Sequence, residues 1–283
     1  EKKPFTKNKI NEFASSGTYY FKSGSMMIDS MEKAVKTKLS VNGEFYLSLA
    51  YKPILAQKKK IACYPLQHFF QWGTPEDVFE FNYWSETFKN LTLSTEKNKP
   101  LLLGDLVIPV GGLGQRFKNE GYKKPKPLIE VSGLPMVLQA MNDLNNSNKK
   151  LVVIRSDMEK TKDLEISIKA KFKDTIITKI DHVTDGQAIT ANIGIKALES
   201  KFGNSNLPLT IAACDGGLIY EKDRLERLIY NELADIIVWG IRGYPNAIKY
   251  PNMYGWVKEK NNKIASVSVK KPLSNPSTDP IIL

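Results

Sequence analysis

The pattern of apolar and polar residues changes about a third of the way along the chain. From Val107 onward, short apolar runs rich in β-branched residues alternate with stretches of helical periodicity. Such runs are typical of buried parallel strands, and helices between them cover both faces of the sheet. The runs are LVIPV (106–110), LVVIR (151–155), LTIAAC (209–214) and DIIVWG (235–240). The alternation predicts an α/β fold with a Rossmann-like, mostly parallel sheet and helices on both faces.

Two segments between these runs have the apolar spacing of amphipathic helices, at 136–144 and at 188–202. Gly203 follows the second segment directly, and glycine in that position commonly ends a helix. We expect both helices to pack on the sheet through one face. The residues on the two predicted faces are Val137, Leu138, Met141 and Leu144, then Ile189, Ile193, Leu198 and Phe202.

The part of the chain before the first of these strands has different signals. GTYYFKSG (17–24) predicts a strand and a turn, with a helix over 25–37, and KKIACYPL (59–66) predicts another strand. The segment 72–88 predicts a helix with Thr74 as N-cap, Pro75 at its first position and Asp77 three residues after the cap. Apolar pattern is weak over 89–100. We therefore predict parts at 1–95 and 105–283, with a linker at 96–104.

Composition narrows the classes of protein that the chain can belong to. Lysine and arginine outnumber acidic residues and give a formal net charge of +11, but the lysines are scattered, which predicts a lysine-rich surface and no nucleic-acid partner. Cys63 and Cys214 are too few for a disulfide framework, and Cys214 is expected to be a small core residue. His68 and His182 lack ligand spacing and are interpreted as structural. With no membrane-length apolar run and no signal-peptide core, the expected location is cytoplasmic, without a membrane partner.

The first candidate for chemistry is a glycine-rich turn after the strand at 106–110. Gly111, Gly112 and Gly114 precede Arg116, and glycines let a backbone approach an anion closely and direct N–H groups towards it. The turn is not a dinucleotide fingerprint, because Phe117 occupies the third glycine position, and it lacks the G-K-[ST] of a P-loop. From the glycines alone, a phosphate loop and a plain tight turn are both open.

Lys126, within KPKPL, favours the phosphate loop. Prolines on both sides stiffen the segment and limit the directions in which the lysine can point. A positive charge on a rigid loop shortly after a glycine turn suits a polyphosphate ligand. A surface lysine in a proline-rich loop is the alternative.

These two motifs resemble the N-terminal signature of the sugar-phosphate nucleotidyltransferases, the family of thymidylyl-, uridylyl- and cytidylyltransferases that make nucleotide sugars. Further segments resemble the family's nucleobase segment, metal-binding strand end, sugar loop, phosphate lysine segment and closing segments. TDGQAITA (184–191) resembles the nucleobase segment and AACDGG (212–217) the metal-binding strand end. MYGWV (253–257) resembles the sugar loop and VKKPL (269–273) the segment with the phosphate lysine. NGEFYLSLAY (42–51) and WGTPEDV (72–78) resemble the closing segments. The resemblance covers most of the chain and implies a glycosyltransferase-A-like nucleotidyltransferase fold.

The resemblance also implies an activity and a set of site residues. A nucleoside triphosphate, with a pyrimidine favoured, would give its nucleotidyl group to a sugar-1-phosphate or similar phosphorylated alcohol and release pyrophosphate, as a step towards surface polysaccharide. The cofactor implied is Mg²⁺, held by Asp215. The implied residues are Arg116, Lys126 and Asp215 for catalysis, Gly111, Gly112, Gly114, Gly186 and Gln187 for the nucleotide, and Glu44, Gly255 and Lys271 for the sugar phosphate.

Structural interpretations of several of these residues stay open beside the functional ones. Asp215 precedes two glycines and would also suit a turn cap, and Lys270 competes with Lys271 for the phosphate. Glu44 would suit an exposed helix position. Gly186 and Gln187 would equally suit the polar start of a helix.

Two positions depart from the family pattern. Members usually carry threonine or serine where Gln115 stands, and many carry a second metal-binding aspartate where Gln71 stands. The metal site would then rest on Asp215 with a different partner, or be weaker.

The order of the motifs is the reverse of the family's, because the segments at 17–24, 42–51 and 72–78 precede the glycine turn. K-K-P occurs near both ends, at Lys3 and Lys271, about one full domain apart. We infer the tail of one nucleotidyltransferase unit followed by the head of the next. Circular permutation with a short duplicated overlap is the alternative. Chance occurrence of two K-K-P triplets in a lysine-rich chain would leave the reversed order of the other motifs unexplained. Tail and head would pack as one permuted domain, or adjacent copies or a homo-oligomer would complete the site.

Two other functions remain open. A nucleotide-sugar-dependent glycosyltransferase uses a related fold with an acidic metal motif, although its donor has no γ-phosphate for the glycine turn and Lys126 to hold. A catalytically weak nucleotide-binding or regulatory unit would be consistent with Gln71 in place of the aspartate.

Overall fold

A computed structural model describes residues 15–93, 104–144, 147–261, 263–278 and 280–282 of the chain. The chain divides into two compact units, Glu1–Phe81 and Asn82–Leu283. Apart from Gly104, the linker predicted at 96–104 lies outside the described residues. The division into 1–95 and 105–283 therefore stays a prediction.

Helices and strands alternate through most of the second unit. The α-helices of the described residues are α1 (Gly24–Lys36), α2 (Tyr51–Ala56), α3 (Pro75–Leu93), α4 (Gln115–Asn119), α5 (Met136–Asp143), α6 (Thr161–Lys171), α7 (Gln187–Phe202), α8 (Lys222–Glu226) and α9 (Pro245–Lys249). The strands are β1 (Asp105–Val110), β2 (Glu130–Val131), β3 (Leu134–Pro135), β4 (Lys150–Arg155), β5 (Ile176–Ile180), β6 (Leu209–Ile211), β7 (Gly240–Ile241), β8 (Gly255–Lys260), β9 (Lys263–Val269) and β10 (Ile281–Ile282).

The first unit is helical in its described part. The helix predicted at 25–37 is confirmed as α1, whose N-cap Ser23 accepts a hydrogen bond from the Met26 N–H. The strands predicted at 17–24 and 59–66 are wrong, because both segments lack ladder pairing. Tyr20 is 88% exposed, and the rings of Tyr19 and Phe21 contact the Tyr51 ring rather than a sheet.

The N-terminus of α3 has the predicted capping box. The Thr74 hydroxyl accepts from the Asp77 N–H at 3.1 Å, and the Asp77 carboxylate accepts from the Thr74 N–H at 3.1 Å. This reciprocal pair satisfies two backbone donors that the helix itself leaves unpaired. The helix continues to Leu93, beyond the point where the apolar pattern weakens.

The centre of the second unit is a parallel sheet with the strand order β5-β4-β1-β6. β1 is a central strand, pairing with β4 on one side and β6 on the other, and all six of its residues are buried. Leu106 and Ile108 pack with α5 and α6 on one face, whereas Val107 packs with α7 on the other. The predicted α/β fold with helices on both faces is confirmed.

One predicted strand of this sheet is wrong, and another is shorter than expected. Residues 235–239 form no strand, and β6 ends at Ile211 rather than at 214. Ile237 and Trp239 pack on the core while Ile236 is 83% exposed. The apolar pattern of 235–239 thus belongs to a segment that packs on the core through Ile237 and Trp239 without joining the parallel sheet.

Helix α7 ends at Gly203 as predicted, but the apolar face assigned to it is partly wrong. Ile189 and Phe202 are exposed, and the buried face instead includes Thr190 and Gly194. A Cβ at Gly194 would lie 2.8 Å from side-chain atoms of Val107 and Val153. The helix therefore approaches the sheet more closely than any other residue at 194 would allow.

A second, antiparallel sheet has the order β7-β10-β8-β9. Its core is Trp256, which is wholly buried and donates a hydrogen bond from its indole N–H to the Pro251 carbonyl oxygen at 2.9 Å. β8 begins at Gly255, within the segment 253–257, and β9 ends at Val269, the first residue of the segment 269–273. Among the residues that the structure describes, no helix is long and apolar enough to cross a lipid bilayer.

Candidate functional site

The glycine turn follows β1 directly and is shaped by close contacts at two of its glycines. A Cβ at Gly111 would lie 3.1 Å from the Thr190 hydroxyl oxygen. Gly114 has a φ of 64°, in the left-handed region, and a Cβ there would lie 3.0 Å from the Cβ of Lys126. Gly112 has open space on its Cβ side. The turn thus runs between α7 and the lysine loop.

Lys126 and Asp215 form an ion pair across this turn. Lys126 begins a short 3-10 helix, Lys126–Leu128, whose Pro127 and Leu128 are buried and anchor the loop. The Lys126 ammonium donates to the Asp215 carboxylate, although 89 residues separate the two. They meet because the segment with Asp215 follows β6, the parallel neighbour of β1. The side chains are 26% and 41% exposed, so a ligand can reach both.

Cys214 anchors the Asp215 turn to the core, as the prediction of a small core residue requires. It packs against the apolar cluster beneath the sheet. Burial raises the pKa of the Cys214 thiol to about 11, Asp215 adds to the rise, and Lys126 opposes it. Cys214 is therefore a protonated thiol near neutral pH.

The segment 184–191 adjoins the glycine turn through Thr190. Gly186 is the N-cap of α7 with a φ of 136°, a conformation that strongly favours glycine, and Gln187 is the exposed first residue of the helix. The Thr184 hydroxyl donates to the Gly186 carbonyl oxygen at 3.0 Å and also contacts the Thr190 hydroxyl. These contacts link the start of α7 to Gly111.

The four-stranded antiparallel sheet brings the segments 253–257 and 269–273 together through the pairing of β8 with β9. Gly255 of β8 pairs with Val269 of β9, and the Lys270 N–H donates to the Tyr254 carbonyl oxygen at 2.9 Å. Lys270 has a φ of 61° and Lys271 is exposed directly after it. Both lysines thus follow β9 beside Gly255.

Arg116 and Gln115 open the short helix α4, and both are exposed. The Gln115 side-chain amide donates to the Asn119 side chain at 2.7 Å. In this arrangement Gln115 supports α4 in place of the threonine or serine that the family usually has.

Glu44 and Gln71 belong to the first unit. Glu44 is exposed and lies in a turn rather than a helix, where it bridges to Val41 and accepts a hydrogen bond from the Tyr46 hydroxyl. The Gln71 amide donates to the Asp77 carboxylate at 3.2 Å. Gln71 therefore serves the cap of α3, a role that needs a donor and that an aspartate could not fill.

Asp215 has the chemistry of a magnesium ligand. Among the described residues, no group of three or more His, Cys, Asp and Glu side chains is arranged to hold a metal. Mg²⁺ commonly takes one or two protein carboxylates and completes its shell with substrate phosphates and water. One half-exposed carboxylate beside a candidate phosphate loop fits that mode of binding.

Asp143, the last residue of α5, was missed by the sequence analysis. Its carboxylate accepts a hydrogen bond from the Leu218 N–H at 2.8 Å. Burial raises the pKa of Asp143, while the bond from Leu218 opposes the rise. The sequence feature that could have pointed to Asp143 is an acidic residue at the C-terminus of a predicted helix, where the helix dipole disfavours negative charge.

Comparison with known proteins gives structural likeness alone. No protein-family model and no curated protein matches the chain. Among solved structures, a nucleoside-diphosphate-sugar pyrophosphorylase from Vibrio cholerae RC9 is 18% identical with a TM-score of 0.48, over 62% of this chain and 72% of that one. The inositol-1-phosphate CTP transferase from T. maritima is 14% identical with a TM-score of 0.43, over 65% and 71%.

A third structure is the CTP:phosphocholine cytidylyltransferase from Streptococcus pneumoniae. It is 14% identical with a TM-score of 0.41, over 64% of this chain and 68% of that one. All three are nucleotide-sugar pyrophosphorylases or other nucleotidyltransferases, the kind of protein that the motifs resemble.

Proposed function

We propose that this protein is a nucleotidyltransferase that transfers the nucleotidyl group of a nucleoside triphosphate to a sugar-1-phosphate or similar phosphorylated alcohol. An oxygen of the acceptor phosphate attacks the α-phosphorus, the bond to the β-phosphate oxygen breaks, and pyrophosphate leaves. We place this activity in the synthesis of surface-polysaccharide precursors, with a pyrimidine triphosphate as the favoured donor.

The observation that carries the proposal is the meeting of Lys126 with Asp215 beside the Gly111–Gly114 turn. Each was chosen from a separate motif, and the two side chains form an ion pair. They also lie beyond the carboxyl ends of β1 and β6, the edge of an open parallel sheet where ligands commonly bind.

The chemistry requires charge neutralisation more than proton transfer. The acceptor phosphate is already largely dianionic near neutral pH, because its second pKa is about 6, so no general base is needed. Lys126 would neutralise charge near the α-phosphate, while Arg116 and the amides of the turn would hold the β- and γ-phosphates. Positioning and electrostatic stabilisation of this kind supply most of the catalysis in phosphoryl-type transfers.

The cofactor of the proposed reaction is Mg²⁺, with Asp215 as its protein ligand. When bound, the ion supplies further neutralisation of phosphate charge. Gly186 and Gln187 would contact the base. Gly255 and Lys271 would contact the acceptor.

Thermal unfolding with ATP, CTP, GTP, UTP and dTTP, each with Mg²⁺, tests the proposal. A triphosphate at a hundred times its Kd stabilises the native state by about 2.7 kcal/mol. We expect one pyrimidine triphosphate to raise the midpoint and to support pyrophosphate release with a sugar-1-phosphate. A nucleotide sugar is the matched control, because a glycosyltransferase would be stabilised by it and not by a free triphosphate. Absence of a shift with every triphosphate would contradict the proposal.

A further inference from the structure

A single carboxylate holds the turn that follows Asp215. The Leu218 N–H donates to the Asp143 carboxylate at 2.8 Å, and a Cβ at Gly217 would lie 3.5 Å from the same oxygen. Asp143 is 75 residues away in the chain and lies at the end of α5, whose apolar residues are fixed in the core beneath the sheet. The turn is therefore tied to a rigid element.

The turn needs such a tie because of its composition. Asp215 stands between Cys214, which packs on the core, and two consecutive glycines, Gly216 and Gly217. Neither glycine has a left-handed φ, so no conformational requirement explains the pair, and two glycines give the backbone extra freedom. Leu218 packs on the core again. The bond from the Leu218 N–H to Asp143 limits the movement of the backbone after the two glycines, while the ion pair with Lys126 holds the Asp215 side chain.

We propose that Asp143 is a positioning residue, whose carboxylate fixes the Gly216–Leu218 backbone and thereby holds Asp215 beside Lys126. Asp143 acts through the turn. It keeps the Asp215 carboxylate in place during the transfer step, when the phosphates would repel it and a bound metal would attract it. The inference rests on the proposed function for its kinetic consequence, whereas its structural consequence can be measured without activity.

The first measurement is hydrogen–deuterium exchange of the whole protein. In Asp143→Ala, amides in 216–218 should exchange on the order of tenfold faster, because local opening is no longer opposed by the side-chain bond. Asp143→Asn should keep slow exchange, since its amide oxygen can accept from the same N–H. Glu199→Ala, which removes an exposed carboxylate on α7 across the sheet, is the control and should leave 216–218 unchanged.

The second measurement is steady-state kinetics with the triphosphate identified by thermal unfolding. Asp143→Ala should lower kcat about tenfold and leave KM within about twofold, because loss of preorganisation affects the transition state more than binding. Asp143→Asn should stay within about threefold of the wild-type kcat. If Asp143→Ala does not fold, Asp143→Leu, an apolar side chain of similar shape, replaces it.

The outcomes separate this inference from the proposed function. Unchanged exchange at 216–218 in the Ala or Leu variant, or a rise in KM with kcat intact, would overturn the positioning role. A wild-type protein without turnover or stabilisation by any triphosphate would instead overturn the proposed function. Exchange alone would then decide whether Asp143 holds the turn.

Discussion

At the scale of single residues, the candidate site is defined by a pair of opposite charges. The pairing of Lys126 with Asp215 balances the two charges in the absence of ligand, so each residue modifies what the other can bind. A triphosphate must compete with the carboxylate for the ammonium. Replacing Lys126 and replacing Asp215 should therefore have opposite effects on triphosphate affinity when no divalent metal is present.

Without Mg²⁺, Lys126→Ala should weaken triphosphate binding about tenfold or more, since a hydrogen bond to a charged group contributes about 1.5–3 kcal/mol. Asp215→Asn should tighten it about fivefold, because removing a like charge in a water-exposed site gains ~1 kcal/mol. With Mg²⁺, Asp215→Asn should lose about a hundredfold in turnover.

Titration calorimetry and single-turnover kinetics measure these effects. Lys124→Ala is the matched control, because its ammonium donates to Glu130 at 2.7 Å instead of to Asp215. Unchanged affinity in Lys126→Ala would remove the phosphate role from this loop. Full turnover in Asp215→Asn would remove the metal role.

At the scale of elements, the sequence predicted those whose signals are local. The Thr74–Asp77 box, the Gly203 stop and the apolar face of α5 depend on neighbours in the chain, and all three are confirmed. The strands expected at 17–24, 59–66 and 235–240 are not confirmed because a strand needs a partner, which an apolar run does not reveal. β5 was missed as an edge strand whose pattern is interrupted by Lys179, paired with Glu165.

The packing of α7 depends on Gly194, and Gly194→Ala tests it. The added methyl would meet Val107 and Val153 at 2.8 Å. Overpacking costs about 1–3 kcal/mol and exceeds the gain of up to about 1 kcal/mol from replacing a helix-interior glycine. We expect a net loss of about 1–2 kcal/mol in the free energy of unfolding, measured with urea.

Asn192→Ala, on the exposed side of the same helix, is the control for Gly194→Ala and should be neutral or slightly stabilising. If both variants are equally stable, the close approach of α7 to the sheet is not a constraint.

At the scale of the whole molecule, the sequence predicted the parallel sheet with helices on both of its faces. The resemblance placed Lys126 and Asp215 in one candidate site, and the two side chains lie together because the segment with Asp215 follows β6, the parallel neighbour of β1. Asp143 could not be predicted, since its contact with Leu218 is set by where α5 ends relative to a distant turn. The proposed tail-and-head arrangement stays a prediction.

The free energy of unfolding should depend on pH through Cys214. Its pKa in the folded state, about 11, lies above the ordinary 9.0 because of burial, so the fold favours the protonated thiol. The stabilisation that the protonated Cys214 thiol gives to the folded state is fully present below about pH 9. It is lost as the pH rises through about 11, by about 3 kcal/mol in total. With both proteins free of metal, the free energy of unfolding of the wild type should fall towards that of Cys214→Ala over this range.

Cys63→Ala is the control for this titration, since Cys63 is exposed. Urea unfolding at several pH values between about 9 and 11 gives the comparison. A constant difference between wild type and Cys214→Ala would show that the thiol titrates alike in both states.

The ion pair between Lys126 and Asp215 also has a thermodynamic consequence for the proposed reaction. A metal alone would have to separate Asp215 from its lysine, and a phosphate alone would have to separate Lys126 from its carboxylate. A ligand that carries both a metal and a phosphate replaces the Lys126–Asp215 contact with two contacts, one between the metal and Asp215 and one between the phosphate and Lys126. Nucleotide and metal should therefore bind cooperatively, each increasing the affinity for the other by the same factor. The ion pair between Lys126 and Asp215 would in this way lower the affinity for free inorganic phosphate relative to that for the metal-bound triphosphate.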